Sequence, residues 1–331
     1  MPELRQDPVS KNWIIIATER AKRPSSFKSI QEGKNSSSNC PFCPGHETET
    51  PSEVLCFRDK DTKPNTPGWQ VRVVPNKYAA LSPEAEVSTN KDNFFHSMNG
   101  MGVHEVIIEG PEHDKFFSEL KHEHATLILK AWQQRHRQLQ QNKNLKYIQI
   151  FKNHGKAAGA SLEHPHSQLI ATPLIPTSTQ MEIERLKSYH DENNSCLICD
   201  LLIKELEAGF RIITINKDFI AFCPFASRFP METWIVPQQH QASFNECKEE
   251  QLEMLAATLQ DILGRLRQIA DDPPFNLVLY TAPLQQKEQL YHWHFKLLPR
   301  LSIVAGFELG TGIHINPTPP EIAAQYFNKN E

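Results

Sequence analysis

The reactive side chains of this sequence fall in a few short motifs. His164 and His166 stand one residue apart in HPHSQ, and two cysteine pairs have CxxC spacing, Cys40/Cys43 and Cys196/Cys199. Thiolates so spaced, completed by two imidazoles from elsewhere, form the tetrahedral donor set of a structural zinc site. Imidazole also attacks phosphorus near neutral pH, because its ordinary pKa of about 6.5 leaves much of it neutral. If residues 164–168 are extended, side chains alternate and His164, His166 and Gln168 share one face. The residues alone then allow two readings. His164 holds a metal and orients a free, nucleophilic His166, or both histidines ligate. Gln168 is placed to bond a phosphoryl oxygen, and Pro165, lacking an N–H, leaves one side of the strand unpaired. Just upstream, Gly155, Ala157, Ala158, Gly159, Ala160 and Ser161 are small enough for backbone N–H groups to approach phosphate.

These motifs occur twice in the same order. Cys40-Pro-Phe-Cys43, His113 closing HEVIIEGPEH and HPHSQL from His164 are followed by Cys196-Leu-Ile-Cys199, His240 closing ETWIVPQQH and HWHFKL from His292. Glu105 to His113 and Glu232 to His240 are both eight positions, and the histidine-to-HxH intervals are 51 and 52. The repeat nominates two metal sites: Cys40, Cys43, His113 and His164, then Cys196, Cys199, His240 and His292. His46 and Glu47 rival His113 in the first. In the second copy His294 takes the place of His166, and Lys296 that of Gln168.

The elements that must position these groups are mixed. VHEVIIEG, KYIQIFKN, ETWIVP and FNLVLYTA are β-branched and aromatic runs that read as strands. SELKHEHATLILKAWQQRHRQLQQN and EEQLEMLAATLQDILGRLRQIA carry apolar residues at helical spacing. Each half therefore runs helix, strand, loop, HxH strand, which predicts an α+β fold with antiparallel sheets. A Pro/Thr/Ser-rich stretch, TPLIPTST, divides the expected domains, 1–174 and 175–331.

Composition narrows the function classes. The 331 residues suit two domains, and 39% hydrophobic residues can bury a core. A net charge of -4 argues against a general nucleic-acid binder. The charged start MPELRQDPVSKNW is no export signal, and the apolar runs are too short to cross a membrane, so the reading is cytoplasmic. In that setting paired thiols mean metal before disulfide. Cys56, Cys223 and Cys247 lack such company and read as structural thiols.

HPHSQ preceded by NxGxxAGAS and CPFC resembles the galactose-1-phosphate uridylyltransferase family, a branch of the histidine-triad superfamily that includes ADP-glucose phosphorylase. DPVSKNWIIIATERAKRP, VRVVPNKYAAL, the EGPEH segment and GFELGTGIHINPTPPE extend the resemblance nearly end to end. It implies two histidine-triad-like halves, each a mainly antiparallel half-barrel sheet with helices, and a homodimer with sites near the subunit interface. It implies a ping-pong reaction in which His166 attacks the α-phosphorus of UDP-glucose, glucose 1-phosphate leaves and a hexose 1-phosphate takes the uridylyl group. Gln168 then contacts phosphate, zinc falls on Cys40, Cys43, His113 and His164, and substrate contacts map onto Asn76, Asn153, Gly159 and Ser161. Arg20 and Arg23 of RAKRP become phosphate-binding arginines, and Phe307 and Glu308 contact the hexose.

Three positions depart from the commoner pattern: Lys77 replaces an acidic residue beside the nucleotide, Ser167 replaces glycine, and the second CxxC suggests zinc where part of the family holds iron. The second half reads as structural, with one active site per chain. Phosphorolysis of ADP-glucose and nucleotidyl hydrolysis are the enzymatic alternatives. A non-enzymatic zinc module gripping nucleic acid lacks the clustered basic and aromatic residues it would need.

Overall fold

The computed structural model describes residues 2–22, 39–92, 94–284 and 290–329. The first half contains β1 (Glu3–Gln6), β2 (Trp13–Ile16), β3 (Leu55–Arg58), β4 (Trp69–Pro75), the hairpin β5 (Thr89–Lys91) and β6 (His96–Met98), β7 (Val103–Ile108), α1 (His122–Leu139), β8 (Tyr147–His154) and β9 (His166–Thr172). The second contains α2 (Thr177–Asn193), α3 (Leu197–Ala208), β10 (Ile212–Ile215), β11 (Phe219–Phe222), β12 (Thr233–Pro237), α4 (Glu249–Ala270), β13 (Phe275–Tyr280) and β14 (His294–Pro299). It closes with α5 (Gly306–Thr311), β15 (His314–Asn316) and α6 (Pro320–Asn328).

Ten strands form one sheet in the order β10-β11-β12-β14-β13-β8-β9-β7-β4-β3. Within each half the order of five strands is the same, the fourth and fifth exchanged: β3-β4-β7-β9-β8 and β10-β11-β12-β14-β13. All these pairings are antiparallel. The α+β repeat expected from the sequence is therefore present. The halves are fused where β8 pairs with β13, from Phe275↔His154 to Val278↔Phe151. β1 and β2 lie outside this sheet and pair with each other, and β2 also pairs with β15 near the other end of the chain.

Helical periodicity decides which sheet face is covered. α1 buries Ala125, Ile128, Leu129 and Trp132, and α4 buries Leu252, Leu255, Leu259, Ile262 and Leu266, each a stripe at three- and four-residue intervals. Both stripes pack with Ile107, Ile150, Leu169, Leu277 and Phe295 in one core. The alternation of β9 puts Ser167 and Leu169 into that core and leaves His166 and Gln168 on the opposite face. In the second half α2 and α3 cover this opposite face, burying Ile183, Leu186, Leu197 and Leu202 against Ile220, Phe222 and Trp234. In the first half the CxxC turn lies there instead, with Cys40 and Phe42 against Val74, Val106 and Ile108. No described helix is long and apolar enough to cross a membrane.

Candidate active site and metal centres

The CxxC turn before β3, the end of β7 and the start of β9 bring together Cys40, Cys43, His113 and His164, whose donor atoms all lie within 4.8 Å of one another. Cys43 Sγ is 3.3 Å from Nδ1 of His113 and 3.5 Å from Nδ1 of His164. Tetrahedral zinc with ordinary bond lengths would separate a thiolate and an imidazole donor by about 3.6 Å. Nε2 of His164 lies 2.8 Å from the Gly110 carbonyl. A carbonyl only accepts, so Nε2 carries the proton and the Nδ1 lone pair points into the Cys/His cluster, where a metal ion could take it up. Burial pushes the His164 imidazole down to about 4, which keeps it in the ligating form. The rival donors are engaged elsewhere: Glu47 accepts from Trp69 Nε1 at 2.8 Å and from Gly45 N, and His46 sits against Glu49.

His166 opens β9, opposite Ile108. Its Nδ1 lies 2.8 Å from the His164 carbonyl, so Nδ1–H donates and Nε2 carries the lone pair. Burial holds this imidazole below its ordinary range. The ring is 6% exposed, with the edge of Phe42 packed against it, ring centroids 5.3 Å apart. The CPFC turn thus supplies two thiols of the Cys/His cluster and one wall of the histidine site. Ladder pairing between β8 and β9 stops at Phe151↔Gln168, leaving the β8 side of Pro165 open, whereas Glu109 N bonds the Pro165 carbonyl on the β7 side. Ser167 faces the core and accepts from Trp132 Nε1 at 2.8 Å, which accounts for a hydroxyl where the commoner motif has glycine. Lys152 and Glu109 form a buried ion pair at 2.6 Å that spans β9 from β8 to the end of β7.

Gln168 is held by a residue that the sequence did not single out. Ala80 N donates to Nδ1 of His104 at 3.1 Å, so His104 Nε2 bears the proton and donates to Gln168 Oε1 at 2.9 Å. The amide NH2 of Gln168 has no hydrogen-bond partner among the described residues. Asn76 Nδ2 is 3.1 Å from the same ring nitrogen, and Asn76 Oδ1 accepts from Tyr78 N at 2.9 Å. His104, Gln168 and Asn76 thus form one cluster. A period-two reading of VHEVII could have flagged His104 as lying on the His166 face.

The small-residue segment behaves differently from expectation. Residues 156–158 form a 3-10 turn, and the N–H groups of Ala158, Gly159 and Ala160 bond carbonyls of Gly155 and Lys156. Those three donors are spent inside the turn and are not offered to phosphate. A side-chain donor lies beside the turn: a Cβ placed on Gly159, whose φ is +90°, would lie 3.6 Å from Asn153 Nδ2. Ser161 is exposed just beyond the turn.

Cys196, Cys199, His240 and His292 form the second cluster, with Cys199 Sγ 3.5 Å from Nδ1 of both histidines. Nε2 of His292 is bound to the Pro237 carbonyl at 2.9 Å, repeating the arrangement at His164. His294 Nδ1 likewise donates to the His292 carbonyl. Beyond this the likeness ends. Trp234 and Tyr280 stack on the His294 ring with centroids 5.0 and 5.1 Å away, Lys296 Nζ lies over both aromatic rings, and His294 Nε2 is sealed without a partner.

The remaining expected contacts are Arg20, Arg23, Phe307 and Glu308. Arg20 is exposed on a 3-10 turn, Thr18–Lys22. Arg23 lies outside the described residues. Phe307 is exposed and Glu308 half-buried on α5, where Glu308 Oε2 accepts from Ala305 N and Phe307 O from Thr311.

The family described as galactose-1-phosphate uridyl transferase, N-terminal domain, matches residues 1–176, and its C-terminal domain matches 182–323. ADP-glucose phosphorylase of Arabidopsis thaliana is 37% identical over 98% of this chain and 92% of its own length. Galactose-1-phosphate uridylyltransferase of Thermotoga maritima is 28% identical over 100% and 99%. Among solved structures, the Arabidopsis ADP-glucose phosphorylase with bound ADP-glucose superposes with a TM-score of 0.84 at 34% identity, covering 99% of both chains. A uridylyltransferase structure reaches 0.77 at 28% identity, over 99% of this chain and 98% of that one.

Proposed function

Because the chain belongs to the galactose-1-phosphate uridylyltransferase family of nucleotidyltransferases, we propose that it moves a nucleotidyl group from a nucleotide sugar to a phosphate acceptor through a covalent adduct on His166. The observation that carries this reading is the bond from His166 Nδ1 to the His164 carbonyl. It leaves an Nε2 lone pair on a ring fixed by its metal-ligating neighbour, which is the arrangement of an oriented nucleophile. Nε2 attacks the α-phosphorus, and sugar 1-phosphate leaves with the bridging oxygen and its electrons. An acceptor phosphate oxygen then attacks the same phosphorus and restores the imidazole. Gln168 and Asn153 present amide donors to the phosphoryl oxygens, where charge builds in the transition state.

The thiolate and imidazole donors suit zinc in both clusters, where the ion would anchor the CxxC turn and the start of each HxH strand. The second half carries no nucleophile of its own, because Trp234 and Tyr280 occupy the faces of His294. Arg20, Arg23, Phe307 and Glu308 are assigned to substrate in a homodimer with sites near the subunit interface. The exposure of Arg20 and Phe307 fits that arrangement.

Two donor readings share this chemistry. Transfer of UMP from UDP-glucose to a hexose 1-phosphate is the reading reached from the motifs. The 37% identity to an ADP-glucose phosphorylase favours transfer of AMP from ADP-glucose to inorganic phosphate. Incubation with UDP-glucose or ADP-glucose labelled at the α-phosphorus, then peptide mapping, is expected to place label on His166. Chase with phosphate or hexose 1-phosphate identifies the acceptor. Label released by water alone would indicate hydrolysis, and no label on His166 with either donor would overturn the covalent mechanism.

A further inference from the structure

We propose that Asn276, on β13 of the second half, is a positioning residue for the reaction in the first half, holding the Asn153 amide with its NH2 turned toward the phosphoryl site. The inference rests on the reading of His166 as nucleophile and Asn153 as a substrate contact.

The hydrogen bonds leave one assignment. Arg300 Nε lies 2.6 Å from Asn276 Oδ1, and a guanidinium only donates, so this oxygen is the acceptor. The two N–H bonds of Asn276 then go to Asn153 Oδ1 and to the Ala158 carbonyl, both at 2.8 Å. Asn276 is buried, with both amide hydrogens and its oxygen engaged. Because Asn153 Oδ1 is taken up as an acceptor, the free edge of the Asn153 amide is its NH2. A flipped amide would turn a carbonyl dipole toward an anion.

Strand register sets where that NH2 lies. Asn153 pairs with Asn276 across the β8–β13 junction. Phe151 is opposite Gln168 in the last pair of the β8–β9 ladder, so alternation along each strand puts Asn153 and His166 on the same face. The second half also seats the turn that follows. A Cβ on Gly155, whose φ is +76°, would meet the Pro274 ring at 2.9 Å, so only glycine allows this close approach. Pro274 and Asn276 together grip both ends of the turn from Gly155 to Ala158. The half without a nucleophile thereby serves as the template for the half that has one.

The test is the single-turnover rate of His166 labelling by the nucleotide sugar that labels wild type, for Asn276→Leu, Asn153→Ala and the double variant. Leucine keeps the branched shape of asparagine, removes its hydrogen-bonding groups and adds no charge. Removing a preorganised donor costs on the order of 10²–10³ in rate, so Asn153→Ala is expected to slow labelling by about that factor and Asn276→Leu by about tenfold or more. In the Asn153→Ala background Asn276→Leu is expected to change the rate by less than about twofold, because its effect passes through Asn153. Equal slowing in both backgrounds, or wild-type labelling by Asn276→Leu, overturns the proposal. Should Asn276→Leu fail to fold, Arg300→Leu carries the same cycle, since it frees the Asn276 amide to flip from a half-exposed position. Absence of label on His166 in wild type would instead refute the underlying mechanism.

Discussion

The main-chain oxygen of His164 accepts the Nδ1 proton of His166 at 2.8 Å, while the ring of His164 turns its own Nδ1 toward Cys43 Sγ at 3.5 Å. One residue therefore joins the Cys/His cluster to the proposed nucleophile: its side chain belongs to the cluster and its backbone sets the neighbouring tautomer. Replacing His166 with alanine is expected to abolish labelling, a loss of at least about a thousandfold in turnover, with metal content and far-ultraviolet circular dichroism unchanged. Turnover within tenfold of wild type would refute its role.

Removal of the first metal should act through folding. Cys43→Ser leaves His113 and His164 facing a weaker donor, and metal binding energy is folding energy. We expect bound zinc to fall from two to one per chain by elemental analysis. The melting temperature should drop by roughly 10 °C or more, as the loss of several kcal/mol implies for halves of this size. Unchanged metal content would contradict the ligand assignment.

The second half should tolerate loss of its HxH histidine without loss of chemistry. His294→Ala empties the space between Trp234 and Tyr280 and is expected to destabilise the chain by about 2–4 kcal/mol. Labelling of His166 should stay within twofold of wild type once the protein is folded. Label on His294 in the wild type, found by peptide mapping, would show a second active site.

A buried histidine outside both clusters should shape the acid limb of stability. His136 on α1 is 1% exposed, its Nδ1 accepts from Asn245 Nδ2 at 2.7 Å, and burial pushes its pKa down to about 4. The unfolded chain binds this proton near pH 6.5, the folded chain only near pH 4, so stability is lost as pH falls between those values. The contribution is about 3 kcal/mol. Denaturant midpoints of His136→Gln should fall less steeply than wild type from pH 6.5 to 4. Identical slopes would place the titration elsewhere.

Much of this was legible in the sequence. The matched spacings of Glu105–His113 and Glu232–His240 predicted the repeat, and the five-stranded order common to the two halves is its structural form. They also selected His113 over His46 and His292 over His294, as the two clusters have it. The small residues around Gly159 misled in detail, because composition does not reveal that their N–H groups close onto Gly155 and Lys156. His104 and Asn276 escaped notice because neither carries a motif. Their importance comes from what they face.

The sequence by itself determined which cysteines and histidines cluster, which histidine is proposed as nucleophile and the existence of two related halves. Those properties follow from residue type and short-range spacing: a CxxC turn and an HxH strand impose their geometry locally. Only the tertiary structure decided that β8 and β13 fuse the halves, that Trp234 and Tyr280 sandwich His294, and that Asn276 grips Asn153 from 123 residues away. Strand register between distant segments arises from burying both helix stripes on one face of a common sheet, and no local pattern encodes that choice.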